Sequence, residues 1–388
     1  MRRRAAALLL PLLAGAIPGC YTQADVDRSA VTPMFFRVLP YPTYDTDEHL
    51  MGHLVAGWRS AANRRAPPVS KAFGVDARIA TSGTRGVLFS FDAPGRWRNW
   101  RILAVAGSER LQRAPFYGIG NSNSIGDSLP STFYRYSLLR TTGLATVERH
   151  LVGPIRLHAA IQWRHYHARP EGDSTATLFG QFVKAGFADT AGRSNTELRG
   201  GLLFDTRDEE ASPTRGVFLE AMAAHSASGY SYTRTLWSAR EFLHFGSLEQ
   251  WVIGLRQGAE LATGSVPVFV SYERLTTWYP DDGFGGPTSL RLFAPGRFLA
   301  DNRAIVSADL RYKYLDAPFP SSPVRIWILG FADAGRLWNH GEKPDLHDWH
   351  WTTGAGMRLQ LSKSTIIGLD LGVADGAPGF GVGTSFAF

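Results

Sequence analysis

Residues 303–315 read RAIVSADLRYKYL, and this stretch decides the fold class. One set of alternate positions is apolar or aromatic and consists of Ala304, Val306, Ala308, Leu310, Tyr312 and Tyr314. The positions between them include the polar or charged residues Ser307, Asp309, Arg311 and Lys313. A period of two indicates a β-strand with one face in an apolar environment and the other in a polar one. The same alternation recurs in residues 195–205, 351–361 and 365–373, so the chain is predicted to be all-β.

The composition of the 388-residue chain narrows the class of protein further. It has 41 Gly, 12% aromatic and only 19% charged residues, a balance that favours a soluble β-protein or a membrane β-barrel. A single Cys excludes a disulfide framework and a metal site built from cysteines. After residue 20 no apolar run reaches the about 18 residues that a transmembrane helix needs. The net charge of +7 comes without a basic cluster interleaved with aromatics, which argues against nucleic-acid binding.

The amino-terminal residues have the pattern of an export signal. Three arginines at residues 2–4 precede an apolar run at residues 5–17, which is long enough for a signal-peptide core and too short to cross a bilayer. We therefore expect a signal peptide over residues 1–19 and a periplasmic lead-in over residues 20–34.

Two cleavage sites fit this signal. Residues 17–20 read IPGC and resemble a lipobox, in which Cys20 would be acylated and become the first mature residue. An ordinary cut after a small residue, for instance Ala16 or Ala24, is the alternative. Both alternatives take the chain out of the cytoplasm.

Two features favour a membrane barrel over a soluble β-sandwich. The polar strand faces carry charges of both signs with interspersed Gly, as the wet lumen of a barrel does. Residues 380–388 read FGVGTSFAF, an alternating strand that ends on the aromatic Phe388 and suits the closing strand of an outer-membrane barrel. We predict a transmembrane antiparallel β-barrel over residues 35–388, in a bacterial outer membrane whose lipids include lipopolysaccharide.

The alternating segments number about sixteen, an even number that keeps both ends of the barrel on the periplasmic side. Their approximate spans are 35–44, 47–60, 69–82, 85–93, 98–108, 131–151, 155–168, 195–206, 216–226, 230–245, 249–262, 303–315, 323–336, 349–361, 365–374 and 380–388. The long connections then fall on the outside, at about residues 109–130, 169–194, 263–302 and 337–348.

Four stretches in the second half of the chain carry a specific combination of motifs. They are FDTRD and SPTRG at residues 204–208 and 212–216, GGPTSLRLF and GRF at residues 285–293 and 296–298, FADAG at residues 331–335, and the closing strand. In order and spacing they resemble the BamA/TamA-type outer-membrane assembly barrels, the bacterial surface antigen family. Residues 116–121, FYGIGN, resemble a turn of shorter members.

The resemblance implies a barrel whose long loop, at about residues 263–302, folds back into the lumen. It also implies a role in inserting or translocating proteins at the outer membrane. Two departures stand out. The loop motif has Leu292 where the family has Gly, and the family's periplasmic POTRA repeats, which recruit clients and partners, have no counterpart between signal and barrel. We therefore expect a separate periplasmic partner protein, or direct contact with client outer-membrane proteins.

Arg291 is the sharpest site candidate. The resemblance implies that the loop arginine pairs inside the barrel with acidic residues of the following strands, and the matching positions are Asp309 and Asp333. The period of two independently puts both carboxylates on the polar face. A guanidinium between two carboxylates forms charge-assisted, bidentate hydrogen bonds that can fix the end of a loop. The alternative is an ordinary ladder of lumen charges, and neither arrangement is catalytic.

The second candidate group lies in the family's turn motif. Asp205, Arg207 and Asp208 precede Pro213 and Gly216. The three charged residues resemble a metal or acid/base group, but stiffening of a periplasmic turn is the simpler interpretation. No G-x-S-x-G or comparable signature is present. We therefore expect no catalytic residues, metal or cofactor, and we keep a small pore or a barrel enzyme as alternative functions.

Two prolines in the first predicted strand, Pro40 and Pro42, suggest a weak seam in the barrel. The N–H groups of residues i and i+2 point to the same neighbouring strand, so both prolines remove donors from one edge. Because the second strand needs its pairing, the bare edge is expected to face the last strand and Phe388. Such a seam could open sideways to deliver strands into the membrane, as the resemblance implies. The alternative is that residues 35–44 are only a periplasmic lead-in.

Overall fold

The computed structural model describes most of the chain. The described residues are 34–45, 49–61, 69–97, 99–122, 129–171, 176–188, 190–246, 250–278, 281–318, 323–343, 347–361, 366–383 and 385–388. The expected signal peptide, the lead-in up to residue 33 and Cys20 lie outside the described residues.

Sixteen strands form one sheet in which each strand pairs antiparallel with the next one along the chain. The first eight are β1 (Met34–Asp45), β2 (His49–Ala61), β3 (Val69–Ala80), β4 (Arg85–Trp97), β5 (Trp100–Pro115), β6 (Arg135–Val152), β7 (Ile155–Pro170) and β8 (Arg193–Asp205). The others are β9 (Gly216–Ser228), β10 (Tyr232–Phe245), β11 (Trp251–Gly264), β14 (Asn302–Pro318), β15 (Pro323–Trp338), β16 (His350–Gln360), β17 (Ile366–Ala374) and β18 (Ala377–Gly383).

The connections carry a few short elements. Two strands of two residues each, β12 (Glu273–Arg274) and β13 (Asp281–Asp282), pair with each other between β11 and β14. The helices are α1 (Leu178–Lys184), α2 (Val268–Ser271) and one 3₁₀ turn (Ser131–Tyr134). Within the described part of the chain, no helix has the length and apolarity to cross a bilayer.

The predicted fold class and the number of strands are confirmed. One boundary in the first half of the chain differs clearly, because β5 continues to Pro115 instead of ending at residue 108. Its pairing with β6 extends through polar residues such as Glu109 and Arg110, and an apolar period could not reveal that extension. The first predicted strand belongs to the sheet, since β1 pairs with β2 over its whole length.

The barrel has its apolar residues outside and its charged residues inside. About half of the surface of Leu202, Val306 and Leu371 is exposed on the outward faces. Inward-facing charged residues are buried, and they include Arg164, Glu197, Arg234, Asp309, Arg311 and Arg358. A continuous apolar outer surface is stable against lipid acyl chains, whereas a soluble protein would hide it.

An aromatic cluster covers part of the outer mouth. Its buried members are Ala114, Phe116, Tyr136, Leu138, Tyr166, Ala168, Phe179 and Leu299. Phe179 belongs to α1, whose first turn is capped by Thr177 Oγ1 accepting from the Gly180 N–H at 3.2 Å. Leu299 comes from the long connection between β11 and β14, so that connection is tied to the outer rim.

Candidate functional site

The connection between β11 and β14, residues 265–301 (the long loop), turns back on itself at a compact tip. The Ser289 hydroxyl accepts from the Gly285 N–H and donates to the Gly285 carbonyl, both at 2.9 Å, and the Gly286 N–H donates to the Leu290 carbonyl. Gly285 has a φ of +112°, and a Cβ there would lie 2.4 Å from the Ala294 carbonyl oxygen. Only glycine fits this position, so the glycine-rich motif sets the shape of the tip.

The tip is fixed by an arginine between two aspartates. Arg291 donates from Nη1 to Asp309 Oδ1 at 2.7 Å, and from Nη2 and Nε to the two carboxylate oxygens of Asp333 at 2.7 and 2.8 Å. The three side chains have no exposed surface. Arg291 also lies 4.0 Å from the ring centroid of Phe331. The structure therefore brings the three candidate residues together as a bidentate ion pair with a second carboxylate, which we call the tip clamp.

Leu292 follows the clamp arginine and has an unusual backbone. Its φ is +74°, a left-handed conformation that glycine adopts freely and that a branched side chain disfavours. The tip therefore keeps a glycine-like backbone although the residue is Leu. The side chain is partly buried against the cluster of Val252, Trp327 and Phe386. This apolar contact compensates for backbone strain of about 1–2 kcal/mol.

A second anchor, which the sequence analysis did not identify, holds the amino-terminal half of the long loop. Glu273 on β12 accepts from Arg164 Nε at 2.7 Å and from the Tyr166 hydroxyl, and both partners are buried on the lumen face of β7. The Glu273 main-chain oxygen accepts from Arg234 Nη1 at 3.0 Å. Three inward-facing groups from β7 and β10 thus converge on one loop residue.

The partners of Glu273 are themselves part of a buried ionic network. Glu197 accepts from Arg234 at 2.8 Å, from Arg199 at 2.8 Å and from the Tyr232 hydroxyl at 3.1 Å. Glu260 accepts from Arg234 at 3.1 Å. Because these buried charges balance one another, removal of one carboxylate would leave an excess of buried guanidinium charge.

A third anchor lies further along the same loop. Trp278 Nε1 donates to Glu148 Oε1 on β6 at 2.5 Å, and the Thr277 hydroxyl donates to Glu220 on β9. The Trp278 ring stacks on Phe218, with the centroids 5.8 Å apart. The long loop is therefore fastened to opposite sides of the lumen.

The predicted turn motif is a stiff periplasmic turn next to this third anchor. Asp205 accepts from the Arg207 N–H and guanidinium at 3.0 to 3.1 Å. Asp208 accepts from the N–H and hydroxyl of Thr214 at 2.9 and 2.6 Å. The φ of Gly216 is +101°, and a Cβ there would meet the Thr206 carbonyl oxygen at 2.4 Å. The carboxylates of Asp205 and Asp208 thus bond within the turn, and Asp205 also pairs with Arg156 on β7 at 3.2 Å.

Arg311 connects the turn, the tip clamp and the end of the chain. It donates to Asp309 Oδ2 at 3.0 Å, to the Pro213 carbonyl at 3.4 Å and to the Phe388 main-chain oxygen at 3.3 Å. The period of two places Arg311 on the polar face, but it does not tell which distant groups an inward side chain meets.

The prediction that residues 380–388 form one closing strand is wrong for the last residues. β18 ends at Gly383, and Phe386 and Phe388 are buried inside the barrel. The main-chain oxygens of Ser385, Ala387 and Phe388 accept from Arg358, Arg256 and Arg311, respectively. Inward-facing arginines thus take the place of a neighbouring strand as hydrogen-bond donors to these main-chain oxygens. The Arg311 guanidinium also lies 4.2 Å from the Phe386 ring centroid. Phe388 is consequently not a seam residue.

The two seam prolines lie on the edge strand. Pro40 pairs in register with Leu54 and Pro42 with Gly52, and the β1–β2 ladder shows no register shift. Among the described residues, the strand pairs run from β1–β2 to β17–β18, and none joins β18 to β1. The edge carrying the prolines and the edge of β18 are therefore the two ends of the described sheet.

The remaining chemistry-bearing side chains form no metal site in the described part of the chain, where no group of three or more His, Cys, Asp or Glu residues is arranged to hold an ion. The half-buried residues His165 and His167 at the outer rim bond to Ser194 and Arg169, respectively.

A sheet with apolar outward faces, a charged lumen and a loop anchored within it defines a transmembrane β-barrel of the outer-membrane type. Residues 73–384 match the Omp85 superfamily domain, and the chain belongs to that superfamily. The resemblance to BamA/TamA-type barrels is thereby confirmed, and the protein is one of the bacterial outer membrane.

Solved structures with the same fold have very different sequences. BamA from Haemophilus ducreyi lacking POTRA domains 1–3 matches with a TM-score of 0.57 and 13% identity, over 91% of this chain and 68% of that one. CdiB from Escherichia coli matches with a TM-score of 0.55 and 10% identity, over 92% of this chain and 68% of that one. No curated protein sequence matches the chain. At such identities the likeness concerns the fold.

Proposed function

We propose that the protein inserts or translocates client proteins at the bacterial outer membrane, and that clients engage it from the side. The observation that carries the proposal is the long loop, which Glu273, Trp278 and Arg291 fasten inside the barrel. Between this loop, strands β9 to β11 and the carboxyl-terminal residues 385–388 lies a cavity of about 350 Å³. A client chain therefore has little room along this part of the lumen, which favours a lateral route.

The lateral route that we propose runs between β1 and β18. Pro40 and Pro42 lack N–H donors, so the free edge of β1 offers few hydrogen bonds to β18. β18 has only seven residues, and the residues after it turn into the lumen. The free edge of β18 therefore lacks a full partner, and an unpaired strand edge is a template on which an extended client segment can pair.

Depletion of the protein followed by outer-membrane proteomics tests the general function. Loss of particular barrel proteins, with rescue by the wild-type gene, is the expected result. Unchanged protein content with altered solute uptake would indicate a small pore instead. Altered lipid chemistry would indicate a barrel enzyme.

Disulfide crosslinking tests the lateral route. The sequence has one cysteine, Cys20, so residues 21–388 contain no native thiol that could compete with engineered pairs. Pairs between residues 36–42 and 378–382 should crosslink under oxidation and block function until reductant is added. The matched control is Val38→Cys with Ala56→Cys, which are register partners in the β1–β2 ladder and should crosslink without loss of function. A barrel locked between β1 and β18 that still works would exclude this route.

We further propose that a periplasmic partner or client contacts the turn formed by residues 206–215. Arg215 on this turn is exposed, and a photo-crosslinking residue placed there should capture a protein. The control position is Glu342, which is exposed at the outer end of the barrel, in the connection between β15 and β16. Equal capture at both positions, or capture of lipid alone, would contradict a specific periplasmic partner.

A further inference from the structure

A groove runs along the lipid-facing wall in the first half of the barrel. Its floor consists of small outward-facing residues on β5 and β6, which pair in register as Ala104 with Ala145 and Ala106 with Gly143. A Cβ on Gly143 would meet no atom within 4 Å, so the space in front of the floor is open. The groove has a volume of about 650 Å³, within the range of sites that hold small molecules.

Large side chains on the two flanking strands form the walls of the groove. Phe89 and Phe91 on β4 are register partners of the floor residues on one side. Ile161 and Trp163 on β7 are their partners on the other side. About half of the surface of Phe89, Ile161 and Trp163 is exposed. An apolar groove with this lining, on a wall that faces acyl chains, fits a lipid chain lying along the strands.

The groove leads to polar side chains towards the outer end of the same strands. Two residues beyond the floor, the Ser108 and Thr141 hydroxyls are hydrogen-bonded to each other at 2.9 Å. Two residues further, Arg85 on β4 and Arg110 on β5 lie directly opposite each other, and both side chains are exposed. The Cβ atoms of such cross-strand partners are about 5 Å apart, so one anion can contact both guanidinium groups.

The two arginines lie at the height of the lipid headgroups. Trp100, at the periplasmic end of β5, is an exposed outward aromatic of the kind that marks a membrane boundary. Arg110 lies on the same face of the same strand, ten residues further on. Ten residues at about 3.4 Å each, tilted by about 45°, rise roughly 24 Å, and the apolar band of such barrels is about 25 Å tall. The pair therefore faces the outer boundary of the membrane.

The charges of this arginine pair are not balanced within the protein. Among the residues that the structure describes, no ion pair joins Arg85 or Arg110 to a carboxylate. The carboxylate adjacent in sequence, Glu109, faces the lumen and pairs there with Arg78 and Arg140. Like charges directly opposite each other on a sheet repel, and an anion between them removes the repulsion. Guanidinium groups bind phosphate in bidentate geometry, so a phosphate suits this position.

We propose that this wall binds a phosphorylated lipid of the outer leaflet, of the lipid A type that anchors lipopolysaccharide. One acyl chain lies in the groove between Phe89 and Trp163, and a headgroup phosphate lies between Arg85 and Arg110. An arginine near an anionic lipid surface contributes about fivefold to binding, so the pair should contribute about 25-fold. The site faces away from the lumen and does not depend on which client or solute the protein handles.

Native mass spectrometry of the full-length barrel in detergent tests the headgroup part of the site. The probe is bisphosphorylated lipid A, and phosphatidylcholine is the zwitterionic control lipid. Arg85→Gln with Arg110→Gln should weaken lipid A binding about 25-fold and leave phosphatidylcholine binding unchanged. Arg85→Lys with Arg110→Lys keeps both charges and should recover most of the affinity. The matched control is Arg149→Gln, an exposed arginine at the periplasmic end of β6, which should bind lipid A as the wild type does.

Filling the groove tests the acyl-chain part separately. Gly143→Phe places a ring on the floor and should weaken lipid A binding several-fold, because the chain loses its contacts with both walls. The matched control is Gly200→Phe, since Gly200 is exposed on β8 and a Cβ there also meets no atom within 4 Å. Heat-dependent gel mobility checks that each barrel is folded. Wild-type affinity in the double Gln variant would overturn the proposal. Unchanged affinity in Gly143→Phe would also overturn it, because the arginines would then bind a phosphate without a lipid chain.

Discussion

Replacing Arg291 by Ala should release the tip of the long loop, and the contacts show which charge is left uncompensated. Asp309 keeps its hydrogen bonds from Arg311 at 3.0 and 3.2 Å. Asp333 keeps only the Thr352 hydroxyl at 3.0 Å and the main-chain N–H of residue 291 at 3.2 Å. The substitution therefore strands one buried carboxylate, that of Asp333, rather than two.

The loss of stability in Arg291→Ala can be estimated from these remaining contacts. Removing one partner of a buried ion pair costs about 3–5 kcal/mol, and a water that enters the vacated space lowers this value. The lost contact with Phe331 adds about 0.5–2 kcal/mol. We expect a loss of about 3–5 kcal/mol, and Arg291→Lys should recover only part of it because an ammonium group cannot bind both oxygens of Asp333 in a planar fork.

Two measurements check the prediction. The temperature at which the folded barrel loses its compact gel mobility should fall, and proteases should cut within residues 285–299. The double variant Arg291→Ala with Asp333→Asn should be more stable than Arg291→Ala alone, since it no longer buries an unpaired carboxylate. The reasoning is refuted if Arg291→Ala and Asp333→Asn each leave both measurements unchanged.

Three further substitutions test other parts of the loop and the amino terminus. Glu273→Gln removes the nearer of the two carboxylates that compensate Arg164, the other being Glu197 at 3.5 Å, so proteases should cut within residues 268–282 while the tip stays protected; unchanged cleavage would contradict the second anchor. Leu292→Ile should lower the unfolding temperature although it keeps the side-chain volume, because a β-branched side chain resists a positive φ; an unchanged temperature would show that the backbone is unstrained there. Cys20→Ser should block acyl-chain labelling and leave a slower-migrating precursor, whereas a wild-type mature protein starting at residue 17 or 25 would rule lipidation out.

The sequence is informative about the barrel because one physical contrast repeats along it. Each strand has one face against acyl chains and one against water or charges, so a period of two marks every strand whose faces differ strongly. β14 and β16 are clear cases. The contrast weakens at the outer ends of long strands, and for that reason the extension of β5 to Pro115 was not foreseen.

The candidate site is less accessible to such reasoning. Arg291, Asp309 and Asp333 were found through the family motif and face parity together. Glu273 has no local signal, because its partner Arg164 lies 109 residues away in sequence. The closing-strand prediction was wrong for residues 385–388 because the alternation of apolar residues in 380–388 fits a strand and also fits a segment that turns inward. What decides between them is the set of arginines across the lumen, and that set exists only in the folded barrel.

The shortness of β18 has a consequence for the surrounding lipid. Seven residues at about 3.4 Å each, tilted by about 45°, span roughly 17 Å along the membrane normal, whereas the apolar band of such barrels is about 25 Å tall. A bilayer beside this strand must become locally thinner to avoid exposing acyl chains to water. Vesicles of short-chain lipids should therefore take up the barrel faster than vesicles of long-chain lipids, and equal rates would show that the mismatch at β18 is met within the protein.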